Sequence, residues 1–426
     1  MLSWDQSPSL ALMRQERAWV EVNPVAIAHN VRQIRSLLSD QTALMAVVKA
    51  DAYGHGATIV AQTALQAGAT WLGVATIPEG IELREAGIDA PILVLGAHHM
   101  PEQIRAIAHW QLQPTLCTPR QALIFSETMG ESGDRAPLSV HLKLDTGMSR
   151  LGTLWQEAAE FVQLVQGLPN LRIASVYSHL ATAEDPDQTV AKQQQQRFET
   201  AIARIKALGI IPPCLHLANS AATLTDPTLH YDMVRVGLAL YGLYPANHLS
   251  PVVNLKPALQ VKARVTQVKT IQPGVGVSYG HRFVADRERR IAVVGIGYAD
   301  GVPRNLSNKI GVLVRGQRVP QIGSVTMDQL MIDVTAIVDL REGEVVTLLG
   351  RDGDQFISAD DWANVLGTIS WEILCDFKHR LPRIAVSQVM TDVIEEIALE
   401  PTSQPQASPD AVPQSLLLSQ PIREES

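Results

Sequence analysis

The sequence predicts an α/β chain in which a TIM-type (β/α)8 barrel is followed by a C-terminal, mainly β domain. Three observations predict it. Apolar runs of strand length recur eight times between Leu44 and Tyr241, helix-like segments separate most of them, and the texture changes after about Pro251. Continuous apolar strands alternating with helices indicate a parallel sheet covered on both faces, and eight such units fit a barrel better than an open sheet. The chain has 426 residues, more than one ordinary core holds, so two domains are expected.

Taken in order, residues 18–22 read as a short strand. Asn23 then caps a helix that has Pro24 at its first position and runs to about Leu38. The eight apolar runs are 44–50, 71–76, 91–96, 113–116, 138–144, 173–179, 214–218 and 233–241, with helices such as 78–86 and 190–208 between them. Beyond Pro251, residues 259–270, 291–296, 309–314, 329–334 and 344–349 are strand-like, and Ser358 is placed to cap a helix over 359–366. The expected division is an N-terminal extension (1–17), a barrel (18–250), a β domain (251–396) whose sheet residues 18–22 are free to join, and a tail (397–426). The tail is rich in Pro, Ser and Gln, a composition that predicts disorder.

Bulk properties exclude several classes. The net charge of −8 speaks against a phosphate-coated polymer as main partner, so no nucleic acid is expected. No run of eighteen apolar residues suggests a membrane span, and no basic segment followed by an apolar core suggests a secretory signal. Cys117, Cys214 and Cys375 are scattered without a pairing framework or metal-ligand spacing, which fits a reducing cytoplasm.

In a barrel, function belongs at the C-terminal ends of the strands. The first run ends in Val48-Lys49-Ala50-Asp51-Ala52-Tyr53-Gly54, and a lysine there is either a solvated surface charge or a buried amine of lowered pKa. The fifth gives Lys143-Leu144-Asp145-Thr146-Gly147-Met148-Ser149-Arg150, odd for a buried strand, which reads equally as rim salt bridges or as a site. The sixth ends at Ser178-His179, where a solitary histidine is more often a satisfied core residue. The seventh ends in His216-Leu217-Ala218-Asn219-Ser220, and the eighth carries Arg235-Val236-Gly237-Leu238. A hydroxyl opening a helix and a glycine exposing backbone N–H groups, on those two strands, suit a phosphate. The phosphorylated cofactor that needs a lysine is pyridoxal phosphate, because its aldehyde is held as a Schiff base.

These residues resemble the bacterial alanine racemases, over roughly residues 19–383. The stretch from Ala46 through Lys49 to Gly56 looks like the family's cofactor-attachment signature. The Lys143–Gly152, Asn219–Ala222, Val234–Gly237, Val277–Gly280 and Gly297–Gly301 segments match further motifs in the family's order. The resemblance implies a pyridoxal-phosphate racemase interconverting L- and D-alanine in a two-base reaction, working as a head-to-tail homodimer and supplying D-alanine for peptidoglycan. It implies that Lys49 holds the cofactor and acts on one face of the substrate Cα, while Tyr279, from the partner subunit, acts on the other. Arg235 would face the pyridine nitrogen and His216 would orient it. Tyr53, Asn219, Ser220, Gly237 and Leu238 would surround the phosphate. Arg150 would meet the cofactor's phenolic oxygen and the substrate carboxylate, and Lys143 occupies a position often carbamylated. Met327 would contact the substrate carboxylate, while His179 and Tyr298 would shape the tyrosine side.

A racemase must take a proton from one face and return one to the other, which needs two groups on opposite sides of a planar carbon. An arginine at the ring nitrogen keeps its own protons and leaves that nitrogen unprotonated, a weaker electron sink that disfavours transamination. Two positions depart from the family pattern. Thr326 stands where many members have cysteine, and His379 is assigned to the place of a phosphate-binding tyrosine. Three other readings compete: a serine or broad racemase, a non-catalytic cofactor-binding barrel, and a decarboxylase of the same architecture. Tyr279 in its motif opposes the second and Arg235 the third. A metal-dependent barrel hydrolase lacks a convergent ligand set.

Overall fold

The structure, a computed structural model, describes residues 16–131 and 136–386. The expected disordered tail, and the extension up to residue 15, lie outside the described residues. The first strand, β1 (Ala18–Val22), leads through Asn23, whose side chain accepts from the Ala26 amide at 3.0 Å, into a helix over Pro24–Arg35. Then come β2 (Ala43–Val47), β3 (Trp71–Val74), β4 (Ile92–Ala97), β5 (Gln113–Leu116), β6 (Leu138–Asp145), the short β7 (Thr153–Leu154), β8 (Leu171–Tyr177), β9 (Leu215–His216) and β10 (Met233–Val236). All but β7 form one parallel ladder in the order β10-β2-β3-β4-β5-β6-β8-β9. Backbone bonds from Asp232 to Leu215 and from Arg235 to Ala218, each 3.0 Å, bridge the remaining gap and bring the ladder round into a barrel.

Five barrel strands, β2, β3, β8, β9 and β10, end earlier than their apolar runs, and in three of them the local reason is plain. β2 stops at Val47 because Ala50, Asp51, Ala52 and Tyr53 all take left-handed backbone angles (φ 53°, 52°, 52° and 54°). Such a turn costs about 1–2 kcal/mol per non-glycine residue, so it persists only where surroundings hold it. Glu79 accepts from the Ala50 amide at 2.8 Å, Asp51 accepts from the Ala57 amide at 2.8 Å, and Arg383 donates to the Gly54 carbonyl at 3.0 Å. β10 stops at Val236 because Gly237 turns out of the ladder (φ −113°, ψ −85°) and gives its amide to Ser220 Oγ at 3.0 Å, and only glycine fits there since a Cβ would stand 2.7 Å from the Tyr53 hydroxyl. β9 is only two residues long because Asn219 already caps the next helix, accepting from the Ala222 amide at 2.9 Å.

The C-terminal part comprises β11 (Leu259–Ile271), the paired β12 (Gly276–Val277) and β13 (Phe283–Val284), then β14 (Arg289–Val294), β15 (Gly311–Val314), β16 (Gln317–Ile322), β17 (Leu330–Asp333), β18 (Val345–Asp352), β19 (Gln355–Ile357) and β20 (Arg383–Ala385). The sequence reading missed β16, whose Pro320 and mixed polarity hide it. The signal was the two-residue Arg315-Gly316 loop, with φ of 49° and 72°, which makes a tight hairpin from β15 into β16. Antiparallel pairings run β18-β15-β16-β17-β14-β11, and β11 returns to β18, so this sheet also closes a circuit. β1 lies in it too, antiparallel to β11 and parallel to β20.

Beneath β1 and β11 lies a buried ion pair. Glu21 is 1% exposed, its Oε2 sits 3.1 Å from Lys262 Nζ, and its Oε1 accepts from the Trp19 indole at 2.9 Å. Removing one partner of such a pair leaves an uncompensated buried charge and costs about 3–5 kcal/mol. Lys262→Met is therefore expected to lower the thermal midpoint markedly, with the Glu21→Leu, Lys262→Met double variant regaining most of the loss. Equal midpoints for wild type and Lys262→Met would show that the pair adds nothing.

Candidate active site

The C-terminal ends of the barrel strands surround a cavity of about 570 Å³. Lys49, Tyr53, Lys143, Arg150, His179, Asn219, Ser220, Arg235, Gly237 and Leu238 line it, so most of the residues singled out from the sequence converge there. Four cationic side chains, Lys49, Lys143, Arg150 and Arg235, face one carboxylate, Glu184. Lys143 and Arg235 are buried, and charges of one sign kept from water need an opposite partner, so this cavity calls for an anionic ligand.

Three of these cations are placed by local structure. Lys49 is projected where β2 turns into the left-handed segment, and burial, followed by the charge of Arg150, holds its ammonium below the usual lysine range. Lys143, on β6, is pushed down to about 8 by burial and then by Arg235, and its Nζ lies 5.5 Å from the Tyr177 ring centre. Arg235, on β10, is held most completely. Its Nη2 donates to the carbonyls of Ser178 (2.8 Å) and Leu217 (3.1 Å) and meets His179 Nδ1 at 3.1 Å, while its Nη1 meets His216 Nδ1 at 3.1 Å. Its Nε has no partner among the described residues, and the side chain lines the cavity. Burial brings this guanidinium down to about 10, so it stays charged near neutrality.

His216 lies behind Arg235, outside the cavity lining, and belongs to a buried chain of hydrogen bonds. His216 Nε2 is 2.8 Å from Ser175 Oγ, which is 2.6 Å from His141 Nδ1, and His141 Nε2 is 2.9 Å from Gln113 Oε1. The amide oxygen can only accept, so His141 donates to it from Nε2, Ser175 donates to His141, and His216 donates to Ser175. His216 Nδ1 is then left as the acceptor for Arg235. Burial keeps both rings neutral, lowering His141 to about 3 and His216 well below its usual value, the latter helped by Arg235. An arginine so wired cannot swing away from the cavity.

The remaining wall forms a cradle. Ser220 Oγ accepts from the amides of Gly237 (3.0 Å) and Ala239 (3.4 Å), and the Tyr53 hydroxyl packs where a Gly237 side chain would be. The Ser220 hydroxyl, the backbone around Gly237 and the Tyr53 phenol on a cationic cavity fit a phosphate, and the Arg235 guanidinium lining the same cavity fits a ring nitrogen that accepts a hydrogen bond.

Several contributors escaped the sequence reading. Tyr177 stacks on His216 (4.6 Å between ring centres, 5° between planes) and lies 5.2 Å from the Arg235 guanidinium. Its place beside Ser178-His179 at a strand end was the available signal. Glu79 ties the Lys49 turn to the end of β3, accepting from Ala75 at 2.7 Å, and the Thr76/Glu79 capping-box spacing marks it. Trp371 and Cys375 close one edge, whereas His379 does not line the cavity; the helix over Ser370–Asp376 reaches it first. Tyr279, Tyr298 and Met327 also lie outside the lining. They sit on the β domain and are 72%, 43% and 53% exposed.

Comparison with known proteins agrees with this layout. The alanine racemase N-terminal domain family matches residues 22–245 and the C-terminal domain family residues 258–385. Alanine racemase of Nostoc sp. is 68% identical over 386 residues, covering 91% of this chain and 100% of the relative. That of Synechocystis sp. is 64% identical over 374 residues, covering 88% and 100%. The solved alanine racemase from Bacillus anthracis with bound L-Ala-P superposes with a TM-score of 0.82 at 38% identity, covering 88% of this chain and 96% of that one. With its barrel, its β domain and these matches over nearly the whole described length, the chain belongs to the alanine racemase family, whose enzymes interconvert L- and D-alanine.

Proposed function

We propose that the chain uses pyridoxal phosphate, with Lys49 and Tyr279 as its two acid/base groups, and that each site is completed by a second copy of the chain. The observation that carries this is the split location of the predicted residues: a cationic cavity in the barrel and an exposed Tyr279 on the β domain of the same chain. An aromatic hydroxyl that far exposed serves a site only if another surface brings a cavity to it. A symmetric head-to-tail homodimer does so twice.

When bound, the cofactor supplies an aldehyde for the amine and a ring that draws electrons from Cα. The chain's own groups do the rest. Ser220, Tyr53 and the backbone around Gly237, with Asn219 and Leu238 alongside, would hold the phosphate. Arg235 would face the ring nitrogen and, by keeping its own protons, would limit charge flow into the ring. Arg150 pairs with the substrate carboxylate from this subunit, with Met327 and Tyr298 completing that pocket from the other and His179 beside Arg235. Lys49 Nζ moves the proton on one face of Cα and Tyr279 Oη on the other. Lys143 is suited to carbamylation: with its pKa near 8, about a tenth is neutral amine at pH 7, far more than for a solvated lysine. The domain division at about residue 250, a cytoplasmic setting that suits three unpaired cysteines, and D-alanine supply to peptidoglycan complete the reading. No helix among the described residues is long and apolar enough to cross a membrane.

Complementation tests it. Lys49→Ala and Tyr279→Phe chains, each inactive alone, are mixed and allowed to exchange subunits. Half of the dimers are then mixed, each with one intact site of two, so about a quarter of wild-type activity should return. No recovery, with exchange confirmed, would place both groups in one chain's site.

A further inference from the structure

Asp300 is fully buried, yet no role above uses it. Arg17 grips it with a fork, Nη1 to Oδ2 at 3.0 Å and Nη2 to Oδ1 at 2.7 Å, and also donates from Nη1 to the Gly295 carbonyl. Arg17 precedes both family-matched segments. On the other side Arg380 Nε lies 3.5 Å from Asp300 Oδ1, while its Nη2 donates to Asp328 at 2.8 Å. The carboxylate also accepts from the Gly297 amide at 3.0 Å. These contacts clamp two loops against each other. Tyr298 donates from its amide to the Thr326 carbonyl at 2.9 Å, and Ala299 to the Met327 carbonyl at 3.0 Å. The loops touch so closely that a Cβ on Gly297 would collide with the Thr326 carbonyl.

We propose that Asp300, gripped by Arg17 and Arg380, is a positioning residue that fixes how Tyr298 and Met327 are presented to a second copy's cavity and thereby sets affinity for the amino-acid substrate. This rests on the reading that Tyr298 and Met327 complete that pocket. Arg17 reaches the clamp through Asp300 and the Gly295 carbonyl, and neither lines the barrel cavity where the cofactor residues lie. Loosening it therefore moves substrate contacts and leaves cofactor contacts in place.

The experiment measures KM and kcat for L-alanine, cofactor affinity by absorbance titration, and thermal midpoint, on the full-length holoenzyme. The variants are Asp300→Asn, Arg17→Gln, Arg17→Lys and Tyr298→Ala. Arg17→Gln decides the question if Asp300→Asn does not fold, because the Arg17 side chain is 37% exposed and its loss is tolerable. KM should rise about tenfold in Arg17→Gln, within the ~10²-fold that a displacement of about 1 Å can cost, with cofactor affinity unchanged. Arg17→Lys should fall between, since an ammonium keeps the charge and loses the fork. An unchanged KM in folded Arg17→Gln, or a raised KM accompanied by a loss of cofactor affinity and a lower midpoint, overturns the proposal. If Tyr298→Ala also leaves KM unchanged, the pocket reading beneath it fails instead; a raised KM there with none in Arg17→Gln sinks the clamp alone.

Discussion

Lys49→Ala is expected to lower alanine racemisation by roughly 10⁴-fold or more, the upper end of what one positioned proton-transfer group supplies, because two functions leave with one amine. The side chain is projected into a cationic cavity where burial and the charge of Arg150 hold its ammonium below the ordinary lysine range, so less work is needed to free its amine than for a solvated lysine. Alanine offers neither function. The measurement is D-alanine formation by an oxidase couple, read with the absorbance of reconstituted protein. The variant should still take up cofactor through the phosphate cradle but lose the band characteristic of lysine attachment. An added primary amine such as methylamine should restore a small part of the activity. Retention of the native band would mean that another lysine holds the cofactor, with Lys143 the first to test.

Tyr279→Phe should reduce L-to-D conversion by roughly 10²–10⁴-fold while leaving cofactor binding intact. The ring keeps its volume and loses only the hydroxyl, and the residue lies outside the barrel cavity, so neither fold nor phosphate cradle depends on it. What should survive is half of the reaction. In deuterium oxide, Lys49 continues to exchange the Cα hydrogen of one enantiomer, with no inversion, and the other enantiomer stays unlabelled. Wild-type L-to-D turnover in the phenylalanine variant would remove Tyr279 from the mechanism, and equal loss of exchange in both enantiomers would point to a damaged site.

Fold class was legible because it depends on apolar periodicity, which local sequence carries. The barrel runs, the Asn23 and Ser358 caps and the change of texture after Pro251 all reappear as elements. Strand ends were less legible, since they answer to partners far along the chain: Gly237 must clear the Tyr53 hydroxyl, and the turn after Lys49 is held by Glu79 and Arg383. In the site, charged and hydroxyl residues at strand ends announced themselves by being out of place. Tyr177 did not, because an aromatic residue on a buried strand looks like packing, and its stacking on His216 exists only once two strands lie side by side. The same holds for His141 and Ser175, which matter through what they touch.

The left-handed turn after Lys49 bears on whether the barrel and the β domain are interchangeable parts. Four non-glycine residues there sit in a conformation that a free chain leaves spontaneously. Part of what restrains them comes from the far end of the sequence: Arg383 donates to the Gly54 carbonyl and pairs with Asp51 at 3.5 Å, and the Leu374 backbone presses where a Gly54 side chain would lie. A barrel without the β domain would lose the grip that aims its lysine. Recombining this barrel with a foreign partner domain must therefore preserve that docking surface, or the chimaera will fold with its reactive amine misdirected.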